Sequence, residues 1–77
     1  MQIAQAKDFS AMGGVTGFRL CETPEGRWTV EVLGRREART LHTALGEIKT
    51  FVTVDAALRD VLRIAARPLP GIELQPR

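Results

Sequence analysis

A chain of 77 residues builds one domain at most. Its composition, 44% hydrophobic and 26% charged, is that of a globular protein and excludes a disordered one. A net charge of +2 is too small to demand a nucleic-acid partner, although a local patch can still form one. Cys21 is the sole cysteine and His42 the sole histidine, which excludes an internal disulfide and any Cys/His zinc set. No apolar run approaches the ~20 residues of a membrane span. The N-terminus lacks the charged-then-apolar pattern of a signal peptide. A cytoplasmic location is therefore expected, and a lone free thiol suits it. A chain this short hides only about 60% of its extended surface on folding. With disulfide and metal excluded, a homodimer or another protein partner is the expected source of added stability.

Residues 1–15 read as a flexible or edge segment. Ile3, Ala6 and Phe9 are spaced for a short helix, while Ile3 also suits an edge strand. Gly13-Gly14-Val15-Thr16-Gly17 then interrupts regular structure, because glycine is costly inside helices and strands. Phe18 and Leu20 alternate with Arg19 and Cys21, the period of a strand with one buried face. Thr23-Pro24-Glu25-Gly26 carries a strong turn signal. Arg27–Leu33 is the clearest strand, with Trp28, Val30 and Val32 on one side and Arg27, Thr29 and Glu31 on the other. The two strands are predicted to form a hairpin.

After the connection Gly34–Glu37, residues Arg39–Ala44 read as a third strand with Leu41 and Thr43 on one face. Gly46-Glu47 marks another turn, and Ile48–Val52 reads as a short fourth strand. Thr53 is a good N-cap for a helix over 53–67. Val54, Ala57, Leu58, Val61, Leu62 and Ala65 recur at spacings of three and four, giving one apolar stripe. Asp55, Arg59, Asp60, Arg63 and Arg67 fill the opposite side, and Pro68 ends the helix. Residues 68–77 read as an extended, proline-containing tail whose Ile72 and Leu74 suit a strand or a clasp on a neighbour. The expected fold is α+β: an antiparallel β-meander of three to four strands packed on one C-terminal helix. Phe18, Leu20, Trp28, Val30 and Leu41 are expected beneath the helix.

Catalysis needs groups that converge on one another. Cys21 and His42 are the only nucleophile–base pair, and no third residue orients them. The carboxylates sit at turns and on exposed strand faces, where they solubilise. The glycine-rich segment lacks the Lys-Ser/Thr of a phosphate loop. No enzyme activity, cofactor, metal or small-molecule substrate is therefore expected. Two surfaces carry functional weight. The open sheet face, with Cys21, Thr29 and Leu33, is neither plainly solvated nor plainly core and suits a protein partner. Arg35, Arg36 and Arg39 surround one turn, with Arg27 and Arg19 on the adjacent face. Arginine-bearing β-ribbons can enter a DNA groove, although Glu31 and Glu37 interrupt this patch and no aromatic on it can stack on a base.

From Leu41 the chain runs LHTALGEIKTFVTVDAALRDVLRIA: a strand, Thr-x-x-Gly-Glu, a basic residue, Thr-Phe, and a helix opening on Asp-Ala-Ala. This stretch, residues 41–65, resembles small proteins of bacterial plasmids and integrative elements, some of them partition accessory proteins of the ParC type. The resemblance implies a non-enzymatic accessory role in plasmid or mobile-element maintenance and supplies no catalytic or ligand residues. The expected function is thus an interaction module working by protein–protein contact, with DNA binding through the arginine-bearing ribbon as the alternative.

Overall fold

The turn at Thr23–Arg27 starts the architecture. Gly26 adopts φ 79°, a left-handed conformation in which a Cβ would be strained. Its N–H donates to the Thr23 carbonyl at 2.9 Å, and the Thr23 N–H donates to that of Arg27 at 2.7 Å. This tight closure lays β1 (Gly17–Glu22) antiparallel to β2 (Trp28–Leu33), with Phe18 opposite Val32 and Leu20 opposite Val30. Thr43–Glu47 repeats the design: Gly46 has φ 86°, its N–H donates to the Thr43 carbonyl at 2.9 Å, and Thr43 N–H donates to the Glu47 carbonyl at 2.7 Å.

In the computed structural model, which describes residues 1–77, these strands join α1 (Ile3–Ala11), β3 (Ala38–Thr40), α2 (Val54–Ile64) and β4 (Gly71–Gln75). The fold is α+β. One four-stranded sheet, in the order β3-β2-β1-β4, is covered on one face by two helices. The buried core comprises Ala6 from α1, Phe18, Leu20, Val30 and Val32 from the hairpin, Leu41 and Phe51 from the connections, and Ala57, Val61 and Ile64 from α2. Trp28 packs half-buried at its margin rather than inside it. No helix is long and apolar enough to cross a membrane.

The sheet is mixed, not the antiparallel meander expected. β4 comes from the predicted tail and pairs parallel to β1, with Ile72 level with Phe18 and Leu74 level with Leu20. A parallel neighbour needs a long crossover, and the chain supplies one through β2, β3 and α2. The fourth strand expected at Ile48–Val52 is instead a connection that touches the sheet through a single bridge, Trp28 to Phe51, and itself through another, His42 to Ile48. The third strand ends at Thr40 rather than Ala44, where the Thr43–Glu47 turn begins to bend the backbone.

Residues 3–11 form a helix. Gln5 Oε1 accepts the Gln2 N–H at 2.9 Å at its start, and Ala6 lies in the core with no exposure. Ser10 is buried, and its Oγ accepts the Ala66 N–H at 3.0 Å, tying the end of α1 to the end of α2. α2 stops at Ile64, three residues before the expected end, because Ala65 is already extended at φ −68°, ψ 132°. Thr53 Oγ1 accepts the Ala56 N–H at 3.1 Å, as an N-cap should.

The helical stripe is rotated from the sequence expectation. Asp60, placed on the solvent side by spacing, is buried at 5% exposure, whereas Leu62, placed on the core stripe, is 55% exposed. Lys49 explains the rotation. Its ammonium lies 2.5 Å from one Asp60 oxygen, with Arg63 at 3.5 Å from the other. The covering of Asp60 turns the Leu62 flank of α2 outward.

Candidate functional site: the open sheet face and the β4 edge

Residues at odd positions of β1 point away from the helices. Arg19 and Cys21 there meet Glu31 and Thr29 of β2 and Glu73 and Gln75 of β4. Arg19 Nε donates to Glu73 at 2.6 Å, and its Nη1 lies 3.5 Å from Glu31. The Cys21 thiol donates to Glu31 at 3.2 Å, with Gln75 Oε1 at 3.6 Å from the same sulfur. The Glu73 hydrogen bond raises the Arg19 pKa above its already high ordinary value. Burial, followed by the hydrogen bond to Glu31, pushes the Cys21 thiol up to about 11, so the sulfur is held protonated and poorly nucleophilic. Thr29 donates to the Cys21 carbonyl at 3.4 Å, and Leu33 is half-buried at the end of the face. The face is a polar network satisfied from within.

Cys21 and His42 are not brought together. The thiol faces Glu31 and Gln75, while His42 follows β3, with β2 between them. The imidazole Nδ1 lies 2.9 Å from both the Met1 amine and the Thr40 carbonyl. No group of three or more His, Cys, Asp and Glu side chains converges as a metal site.

The five arginines do not form one patch. Arg19 lies between Glu31 and Glu73. Arg39 is paired with Glu37 at 3.1 Å. Arg27 bonds Thr50 Oγ1 at 2.8 Å, at the opposite end of β2 from Arg35 and Arg36. Only Arg35 and Arg36 are neighbours, both exposed. They rim a concavity of about 600 Å³ whose floor is the Phe9 ring, seated against Gly14 and Gly34; Glu37 shares that rim.

A second surface runs along β4, in the segment read from sequence as an extended tail with a strand or clasp at Ile72 and Leu74. Every residue of this edge strand is exposed. Its Ile72 and Leu74 point to the helix-bearing side, level with Phe18 and Leu20, yet α2 lies over β1 and β2 and leaves them 38% and 54% exposed. Leu69 is exposed just ahead of the strand, and Leu62 is exposed on α2. The backbone of β4 adds a free row of hydrogen-bonding groups to these apolar side chains, as any edge strand does. Alternation at Ile72 and Leu74 was the available signal, and it identified a strand or a clasp without locating its neighbour.

This arrangement defines a small α+β domain with a sealed polar sheet face and an open apolar edge. Comparison with family models, curated proteins and solved structures found no match.

Proposed function

We propose that this chain is a non-enzymatic interaction module that docks another protein by strand addition at β4, in the accessory setting that the resemblance of residues 41–65 implies. The observation that carries this reading is the coincidence on β4 of an unpaired backbone edge with Ile72 and Leu74, both on the core side of the sheet and both uncovered. Added strands gain affinity from main-chain hydrogen bonds and specificity from alternate side chains, and β4 offers both. The flat open face suits this role less well, because its charges already satisfy one another.

The test replaces both apolar residues by lysine, Ile72→Lys with Leu74→Lys. These exposed positions leave the fold intact, which circular dichroism checks. Tagged wild-type protein is expected to retain a defined partner from a bacterial lysate, and the double variant to lose it by about tenfold or more, the scale of ~1.4 kcal/mol in binding. Identical retained proteins for the two would overturn the proposal.

A further inference from the structure

We infer that the strand received by β4 is the β4 of a second copy, running antiparallel about a two-fold axis at Glu73. This deepens the docking reading and rests on it.

The parity of the backbone sets the geometry. The Gly71 carbonyl points toward β1, since a Cβ at Gly17 would meet that oxygen at 3.0 Å. The Arg77 N–H also turns back, donating to Glu22 at 3.0 Å. Backbone groups alternate along a strand. Gly71, Glu73 and Gln75 therefore serve β1, and Ile72 and Leu74 present their N–H and C=O groups outward.

Pro70 and Pro76 fall on the same outward parity, three residues either side of Glu73. Neither has an N–H. With Glu73 on the axis, Ile72 lies opposite the partner's Leu74, and both such pairs exchange complete pairs of bonds. A slip of two residues sets a proline opposite Ile72 or Leu74 and leaves half of that pair unmade. A slip of one sets outward groups against inward ones. The edge is thus self-complementary in one register.

The side chains agree. On the helix side, Ile72 and Leu74 from two copies make a four-residue apolar cluster at the centre of a continuous eight-stranded sheet. On the other side the two Glu73 carboxylates meet, each arriving already bonded to Arg19 at 2.6 Å, so two ion pairs come together rather than two bare charges.

The experiment has two arms. Light scattering of the full chain is expected to give twice the monomer mass as concentration rises toward about 1 mM, and Ile72→Lys with Leu74→Lys to stay monomeric. In a Cys21→Ser background, oxidation is expected to cross-link Glu73→Cys at least about tenfold faster than Gln75→Cys. Facing positions on the axis lie within the roughly 4.4–6.8 Å that a disulfide spans, and Gln75 residues of two copies do not. A monomer at every concentration overturns the inference, as does cross-linking of Gln75→Cys as fast as Glu73→Cys. The lysate experiment separates the two failures. A monomer that still loses a partner through the lysine variant refutes only the second copy, whereas a monomer with no such loss refutes strand docking as well.

Discussion

Cys21 shows how burial and, after it, a neighbouring carboxylate set a residue's chemistry. An ordinary thiol here would titrate near 9.0, but burial and the Glu31 carboxylate carry it to about 11. At pH 8 the folded chain then holds about a hundredfold less thiolate than the unfolded one, and only thiolate reacts. Reaction with a disulfide reagent at pH 8 should be correspondingly slow, and Glu31→Gln should speed it. Equal rates in wild type and Glu31→Gln would contradict the assignment. Linkage follows from the sign of the shift. A thiol protonated more readily in the folded state contributes stability below pH 9, and that contribution is lost as pH rises toward 11. Cys21→Ser should flatten the fall in stability over that interval in chemical denaturation.

At the scale of elements, Lys49 and Asp60 join α2 to the segment ahead of it. Lys49 also lies 5.4 Å from the centre of the Phe51 ring, a distance at which the ring face attracts a cation. Lys49→Met leaves a buried carboxylate with only the more distant Arg63 and should cost about 3 kcal/mol. Adding Asp60→Leu removes the stranded charge and should recover part of the loss, because an apolar pair can replace a buried ion pair at little cost. Urea melts of the single and double variants check this; a double variant no more stable than the single one refutes it. Asp60 also marks where sequence reading met its limit. Spacing located α2 and its Thr53 cap, but its polar side was assigned as though all charges seek water. Lys49, eleven residues earlier, reverses that for Asp60. The β1–β2 hairpin was legible because its turn chemistry is local. β4 was legible as an alternating segment but not as a parallel neighbour of β1, since no local signal names a partner 54 residues away. The candidate site divided in the same way. Arg19 and Cys21 were placed on the open face by alternation, while Glu73, which engages Arg19, came from a segment read as tail.

For the whole molecule, two helices on one face cover the centre of the sheet and leave its β4 side bare. An association that buries that side couples folding to concentration, because a partner that binds only the native state stabilises it by mass action. The thermal midpoint should therefore rise with protein concentration in wild type and stay constant in the Ile72→Lys, Leu74→Lys variant. A midpoint independent of concentration in both would count against self-association.

Gly17 allows the last strand to lie close beside the first, where a methyl group would press on the Gly71 oxygen. A ribosome delivers β1 well before β4, with β2, β3 and α2 made between them. Until residues 71–75 emerge, Phe18 and Leu20 belong to an outer rim, and the nascent hairpin offers neighbours the very edge that β4 later seals. β4 ends that exposure for β1 only by taking it over, so whatever borders β4 in the finished molecule meets the same open edge one strand further out.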